Sequence, residues 1–511
     1  MPIFRMIGKK LRLRFSWCAR VLSISVLLTG AALTSAAQPA LGSRSRAAER
    51  ASYLVRMLQL TSPKLSVIAT LPIDGKALMM ETTRPADVRE VGRRGWPALV
   101  HNLQVSDTEG HYLEANPIGV AGWELKKPYR GLVRLAYEVD YSGPAADNWP
   151  APRETAFADA NNFVFVGRSL FITTSEVRTT QVTFALPRPW RPVTPWRTNT
   201  KSGNVFDVAE AKDLVNNLLV MTRVQPAVLS ASGFQVFVTL LGNWPTARSE
   251  VNRVLRGVIP FFVQLMGSRE RDSYSVVLLP IEQSDETGAE SYRRSFAFTF
   301  NAAPTRANRS VWGKTIAHEI FHSWNGWRLR GADYASSQWF QEGFTEYAAN
   351  MAMVGSGLIT PDEFLQQLST HIHNYQKLTT PLDAPGTHKG PPLYSGGALV
   401  AFCWDLQIRQ ASAGKRNLGD FLRTLWRQTH NGQRAYEWRD IRVALDSTAQ
   451  LDWEGFYRDY IKGTKPIPLA QVLPHAGLRL VQTGTAAPVI QPDPSAPITA
   501  KFLWHSFAQW R

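Results

Sequence analysis

Cysteine is scarce in this chain, and so is any long apolar run. Cys18 and Cys403 are the two cysteines among 511 residues, and Cys18 falls within a predicted export signal. An internal disulfide in the mature chain is therefore excluded, and we expect Cys403 to be a buried, inert thiol in an apolar helix. No run reaches the ~20 apolar residues of a transmembrane helix, so we expect no stable membrane insertion after the signal is cleaved.

Basic residues are numerous but not concentrated. The formal net charge is +16, with 57 Lys and Arg against 41 Asp and Glu. Beyond the first twenty residues the cations are scattered, and no basic run is interleaved with aromatic side chains. Net charge alone reports solubility and nonspecific attraction rather than fold, so nucleic-acid binding is not expected. The apolar fraction of 44% is that of an ordinary globular protein.

Residues 1–37 have the features of an export signal. A cationic leader is followed by the apolar run Val21–Leu28 and then by small residues up to Ala37. Small side chains one and three positions before the cut suit signal peptidase, so we predict cleavage after Ala37 and a periplasmic or secreted protein. An uncleaved membrane anchor is the alternative, but the apolar run is too short to span a bilayer comfortably.

Two regions of different periodicity follow the signal. Residues 38–204 contain short alternating runs, such as Leu132–Val139 and Thr180–Leu186, separated by turn-forming residues, which predicts an antiparallel β-domain. Residues 205–464 begin with a mixture of helices and strands, with strands at 235–240 and 275–279 and a helix at 248–265 between them, and after Asn301 become mostly helical, with apolar residues at spacings of three and four. Residues 465–511 are rich in Pro and Ala and predict a loosely ordered tail. The sequence therefore predicts a multidomain α+β chain.

A helix predicted at about residues 311–325 carries the main chemical motif. His318 and His322 are four residues apart, so their rings project from one face of a helix, about one turn apart. Two imidazoles so placed can occupy adjacent corners of a tetrahedral zinc site, with Glu319 beside them as a candidate general base. Taken alone, the motif also fits two surface histidines that flank the core pair Ile320–Phe321.

A second predicted helix, at about residues 337–353 and capped by Ser336 or Ser337, supplies a third ligand. Glu342 lies twenty residues after His322, which leaves room for a turn and an antiparallel return. Two histidines, one glutamate and an open position for water form the ligand set of a catalytic zinc. The sequence thus predicts one zinc ion per chain, bound by His318, His322 and Glu342.

These residues resemble the glycyl aminopeptidase family of zinc peptidases, which belong to the gluzincins. The Trp324–Asn325 pair after the second histidine is typical of that family, as is the segment Trp339–Tyr347 around Glu342. Weaker similarity extends to Tyr394–Ala401 and Phe456–Gly463. The resemblance implies an N-terminal β-domain, a thermolysin-like, mostly helical catalytic domain, and hydrolysis of peptide bonds in peptide or protein substrates.

Roles around the metal follow from the chemistry and from the resemblance. In zinc-dependent hydrolysis of a peptide bond, Glu319 is the expected base, which takes a proton from the attacking water. The resemblance places the tyrosine that stabilises the oxyanion at Tyr394, whose neighbouring glycines suggest room for substrate backbone; a buried structural tyrosine is the alternative. Glu346 either fixes the tautomer of a ligand histidine or is a solvated helix charge. Asn325 is assigned a supporting role beside the ligands.

Two departures from the family pattern limit these implications. The family's Gly-Gly-Leu-Glu-His motif, whose glutamate helps to hold the substrate's amino terminus, has its nearest match in Thr287–Ser291, one residue shorter and without the histidine. Glu290 is the candidate for that role, or belongs to an ordinary acidic loop. Aminopeptidase action is expected, with an endopeptidase or a noncatalytic envelope scaffold as alternatives. The residues after Leu480 are too few for the PDZ-type domain that many relatives carry.

Overall fold

The computed structural model describes residues 50–58, 63–80, 95–142, 155–198, 200, 203–241, 247–267, 272–280, 288–300, 302–384, 390–482 and 488–508. The predicted signal peptide lies outside these residues, so its cleavage stays a prediction. Within the described residues, no helix combines the length and the apolar character needed to cross a bilayer.

The N-terminal half of the chain forms two β-sheets. Strands β1 to β12 are Ala51–Met57, Lys64–Met79, Val100–Asp107, Ala115–Ile118, Gly122–Asp140, Ala156–Ala158, Asn162–Val166, Thr180–Ala185, Arg191–Val193, Arg197–Thr198, Val205–Val208 and Leu218–Thr222. The larger sheet has the order β10-β11-β8-β1-β2-β5-β3 with β4 beside β5, and the smaller has the order β6-β7-β12-β9. Pairing in the larger sheet is antiparallel, except that β1 and β8 run parallel.

Alternating burial explains why these segments form strands. Along β2, Val67, Ala69 and Leu71 are buried, whereas Ile68 between them is exposed, because successive side chains of a strand point to opposite faces. Strands β11 and β12 lie beyond residue 204, yet they pair with β8 and β7. The N-terminal sheets therefore extend to Thr222.

The C-terminal half is mostly helical around a third sheet. Helices α1 to α8 are Ala211–Val215, Ala247–Met266, Arg309–Phe321, Tyr334–Gly355, Pro361–Tyr375, Pro391–Ala411, Leu418–Gln428 and Trp438–Thr448. Strands β13 to β17 are Ala227–Ala231, Phe234–Leu240, Ser273–Pro280, Gly288–Tyr292 and Ser295–Phe300, in the order β13-β14-β15-β17-β16. The predicted sequence of a β-domain followed by a mostly helical domain is confirmed. Cys403 is buried in α6, as expected.

An apolar cluster joins the two halves. It combines side chains of the smaller N-terminal sheet, such as Val164 and Val220, with Val277 and Leu279 of β15 and Ala297 of β17. All of these side chains are buried. Because burial of apolar side chains is the main favourable term in folding, this cluster holds the N-terminal sheets against the region that carries the predicted zinc ligands.

The C-terminal segment differs from the loosely ordered tail that we predicted. Short helices α9, Trp453–Phe456, and α10, Leu469–Val472, lead to the hairpin of β18, Leu478–Val481, and β19, Val489–Pro492, and then to helix α11, Ile498–Ala508. Ile490 and Trp504 are buried, and the backbone N–H of Ile490 donates to Ser369 Oγ of α5 at 2.9 Å. Composition did not reveal this order because only a few apolar residues, such as Ile490 and Trp504, anchor the described part of the segment.

Candidate metal centre and active site

Helix α3 ends at the second predicted ligand, not at residue 325. His322 forms its C-cap in right-handed helical conformation, and the chain then turns so that the backbone N–H of Asn325 donates to the carbonyl of Phe321 at 3.0 Å. Trp324 is buried in this turn and packs against Phe262 of α2. Because the helix ends here, the His322 ring contacts the turn that follows, and its Nδ1 atom lies 2.9 Å from the carbonyl oxygen of Asn325.

Helix α4 begins one turn earlier than we predicted. Its cap is Asp333, whose side chain accepts a hydrogen bond from the N–H of Ala335 at 3.1 Å, whereas Ser336 and Ser337 lie inside the helix. An aspartate carboxylate satisfies the unpaired N–H groups of a helix start as well as serine does, and this competing cap was missed in the sequence.

The glycines after Tyr394 serve helix packing rather than substrate binding. A Cβ atom on Gly397 would collide with the carbonyl oxygen of Trp339, and one on Gly343 would collide with the backbone of Gly397. Helices α4 and α6 therefore approach at a glycine-to-glycine contact that no larger residue permits. This close approach fixes Tyr394, at the start of α6, next to Glu342 on α4.

The three predicted ligands converge. The Nε2 atoms of His318 and His322 lie 3.0 Å apart, and Glu342 Oε2 lies 3.3 Å from the first and 3.4 Å from the second. A tetrahedral zinc ion with bonds of about 2.0–2.1 Å requires ligand atoms roughly 3.3 Å apart. The donor set and its spacing therefore fit a zinc ion.

The remaining ring nitrogens have acceptors that fix both imidazole tautomers. His318 Nδ1 donates to Glu346 Oε2 at 3.0 Å, and His322 Nδ1 donates to the carbonyl of Asn325 at 2.9 Å. Because a carboxylate and a carbonyl can only accept, each Nδ1 carries a proton, which leaves each Nε2 as the nitrogen that would bind a metal once the ring is neutral. The Asn325 amide in turn donates to the carbonyls of Phe340 and Gln341 in α4, at 3.2 and 3.0 Å.

Glu346 is buried, so the solvated helix charge that we considered does not describe it. Besides His318, its carboxylate accepts from Lys314 Nζ, and His371 Nε2 lies 3.6 Å away. Burial opposes its charge, but Lys314 and His318 outweigh burial and hold its pKa well below the ordinary value. Lys314 and His371 were missed in the sequence, although Lys314 stands one turn before His318.

Replacing Glu346 with glutamine should weaken zinc binding by roughly 10- to 100-fold. The neutral amide leaves Lys314 without a counterion and holds the His318 ring less firmly. Competition with a chromogenic chelator measures the change. Unchanged zinc affinity would mean that Glu346 does not position His318. Glu124→Gln, at an exposed strand position, serves as the matched control.

Electrostatics separate the roles of the acids at the centre. Burial raises the pKa of Glu319 to about 7 despite the opposing charges of His318 and His322. Burial also opposes ionisation of Glu342, but the charges and hydrogen bonds of both histidines outweigh it and lower its pKa. Glu342 is therefore an ionised ligand at neutral pH, whereas Glu319 exchanges a proton there.

Two tyrosines lie near these acids. The ring of Tyr394 stacks on that of His318, with centroids 5.9 Å apart and planes 14° apart. The charge of Glu342, together with burial, raises the pKa of Tyr394 well above its ordinary value, so its hydroxyl remains a donor. Tyr334 also acts on that hydroxyl and lines the cleft beside Glu342; no motif in the sequence indicated it.

Glu290 lies near the centre on strand β16, at one end of the third sheet. Its negative charge helps to raise the pKa of Glu319. Ser291, the next residue, lines the same cavity as His322 and Glu342, which has a volume of about 970 Å³. The preceding acidic residues of the sequence, Asp285 and Glu286, lie outside the described residues. The structure thus brings Glu290 to the edge of the site.

Two family models match this chain. The model of the M61 glycyl aminopeptidase family matches residues 312–383, which include the three ligands, and the model of the M61 N-terminal domain matches residues 93–220. No curated protein matches the sequence.

Several solved structures have a similar fold. An aminopeptidase N family protein from Idiomarina loihiensis is 18% identical with a TM-score of 0.68, over 85% of this chain and 79% of that chain. The M1 zinc metallopeptidase from Deinococcus radiodurans is 16% identical with a TM-score of 0.53, over 82% and 95%. Yeast LTA4 hydrolase is 12% identical with a TM-score of 0.52, over 84% and 71%. At these identities the likeness establishes the fold.

Proposed function

We propose that this chain, which belongs to the M61 glycyl aminopeptidase family, hydrolyses peptide bonds with one zinc ion bound by His318, His322 and Glu342. The observation that carries the proposal is the convergence of three ligand atoms at 3.0, 3.3 and 3.4 Å. The Deinococcus radiodurans protein of similar fold is a zinc metallopeptidase, which also supports the choice of metal. A bound zinc ion supplies Lewis-acid chemistry, since it acidifies water and polarises a carbonyl.

Glu319 is the proposed general base. It follows the first ligand on α3, is buried, and is not one of the three converging ligand atoms. A pKa near the working pH suits a group that first takes a proton from water and then gives one to the leaving amine. In the metal-free protein, burial moves the pKa of Glu319 in that direction, to about 7.

Tyr394 is the proposed donor to the oxyanion. Replacing it with phenylalanine removes the hydroxyl and keeps the ring that stacks on His318. We expect kcat to fall by about 10²- to 10³-fold, as for the loss of one oxyanion donor, with zinc content unchanged. Steady-state kinetics and metal analysis check this result. Full activity would exclude Tyr394 from the role and leave it as a structural tyrosine.

Aminopeptidase action is the more specific part of the proposal. Glu290 supports it, because a carboxylate beside the proposed base can pair with the ammonium group of a substrate's first residue. Strand β16, which carries Glu290, is an end strand of the described sheet, and an extended peptide can add to such a strand by main-chain hydrogen bonds. An endopeptidase of the same fold would need no such pairing.

Product mapping separates these activities. The protein is incubated with matched peptides whose amino terminus is free or acetylated, and the products are identified by mass spectrometry. We expect release of the first residue from the free peptide and no cleavage of the acetylated one. Equal internal cleavage of both would establish an endopeptidase instead. Absence of zinc from the purified protein would favour the noncatalytic scaffold.

We also propose that the protein is exported. The cationic leader, the apolar run and the small residues up to Ala37 support secretion or delivery to the periplasm, where the substrates would be peptides. Neither nucleic acid nor a membrane is proposed as a partner.

A further inference from the structure

The cavity over the candidate metal centre is strongly basic. Five cationic residues line it: Arg178, Lys212, Arg293, Arg328 and Arg330. Among its described lining residues, the acids are Glu210 and Glu342, and Glu342 is already engaged by the two histidines. Positive charge therefore exceeds negative charge in the space that a bound peptide would occupy.

Two of the five cations already have acidic partners. Arg293 lies 2.8 Å from Glu210 and 3.1 Å from Asp213, and Arg328 lies 3.1 Å from Asp272. Their positive charge is largely neutralised within the protein. They shape the wall of the cavity and contribute little net charge to it.

The other three cations, Arg178, Lys212 and Arg330, are exposed. None of them forms an ion pair with an acid in the described part of the chain; Arg178 donates instead to the backbone carbonyls of Ser175 and Val177. A single exposed lysine without a partner would be unremarkable. Here three such groups reach one cavity from separate segments: the loop before β8, helix α1, and the loop between α3 and α4.

We propose that Arg178, Lys212 and Arg330 bind carboxylate groups of the peptide, so that acidic peptides are the preferred substrates. This inference rests on the proposed peptidase function of the same site. Guanidinium and ammonium groups form charge-assisted hydrogen bonds with carboxylates, and a cleft lined by one sign of charge concentrates ligands of the opposite sign. The carboxylates are those of Asp or Glu side chains, or the peptide's own C-terminal carboxylate.

Binding to the zinc-loaded Glu319→Gln protein tests this without depending on catalysis. Calorimetry compares three peptides: Gly-Ala-Asp-Asp-Ala amide, its Asn-Asn isostere as amide, and the Asn-Asn peptide with a free C-terminal carboxylate. At low ionic strength the Asp peptide should bind about tenfold more tightly than its isostere, and about 0.5 M salt should abolish most of the difference. Tighter binding of only the free-acid peptide would assign the cations to the C-terminal carboxylate.

Charge reversal identifies the groups responsible. Adding Lys212→Glu and Arg330→Glu to the same protein should remove or reverse the preference for the Asp peptide. Arg442→Glu makes the same kind of charge change on an exposed residue of α8 outside the cavity lining and should leave the preference unchanged. Equal affinity for all three peptides, or an unchanged preference in the double variant, would overturn the inference.

Hydrolysis of the Asn-Asn amide by the wild-type protein is measured in parallel. If that peptide is cleaved in a zinc-dependent way but acidic peptides bind no better, the carboxylate inference alone fails. If no peptide is cleaved while the Asp peptide still binds selectively, the peptidase proposal fails and carboxylate recognition stands.

Discussion

Replacing Glu319 with glutamine is expected to lower kcat by roughly 10²- to 10⁴-fold while zinc content stays at one ion per chain. The amide keeps the size of the side chain but cannot accept a proton from water. Zinc is retained because the converging atoms belong to His318, His322 and Glu342. Kinetics and elemental analysis of the same preparation measure both quantities. Substantial remaining activity would mean that another group acts as the base.

Glu319→Gln should also change how the thermal stability of the metal-free protein depends on pH. Burial raises the pKa of Glu319 from 4.5 to about 7. Because the folded-state pKa exceeds the unfolded value, the stability that this group contributes is fully present below pH 4.5 and is lost as the pH rises through about 7. Metal-free Glu319→Gln does not titrate there, so its Tm relative to metal-free wild type should be highest above pH 7 and should decline towards pH 5. A Tm difference independent of pH would contradict the buried, perturbed carboxyl.

Replacing Glu342 with glutamine is the second change with a large expected effect. A neutral amide is a poor zinc ligand. Loss of the Glu342 carboxylate leaves only the two histidines to hold the ion. We expect the variant to lose zinc on dialysis and to lose peptide hydrolysis to the background level. Elemental analysis after dialysis and a peptidase assay measure the two losses.

Thermal unfolding gives an independent measure of this site. A ligand at about 100 times its Kd stabilises the folded state by about 2.7 kcal/mol, so zinc should raise the Tm of the wild-type protein. The rise should be absent in Glu342→Gln and intact in the control Glu124→Gln. A zinc-dependent rise of equal size in Glu342→Gln would show that the ion binds elsewhere.

Local geometry explains how much of the site could be predicted. A helix forces residues four apart onto one face, so the sequence could place His318 and His322 together, and the structure brings their Nε2 atoms to 3.0 Å. Glu342 followed from its distance along the chain and from the motif around it. Strands in the N-terminal half were predictable because their side chains alternate between a core and a solvated face.

Contacts between distant segments could not be predicted in this way. His371 reaches Glu346 from helix α5, and Tyr334 lies close enough to Tyr394 to raise its pKa, in arrangements that depend on how distant segments pack. The glycines after Tyr394 were expected to leave room for substrate, but in the structure Gly397 packs against Gly343 where α6 meets α4. Likewise, the order of the C-terminal segment depends on where Ile490 and Trp504 are buried.

Anomalous diffraction at the zinc absorption edge tests the metal centre most directly. Crystals of the protein purified without chelator should show a single strong anomalous peak equidistant from His318 Nε2, His322 Nε2 and the Glu342 carboxylate. A peak at another site, or no peak there after soaking with zinc, would contradict the metallopeptidase account.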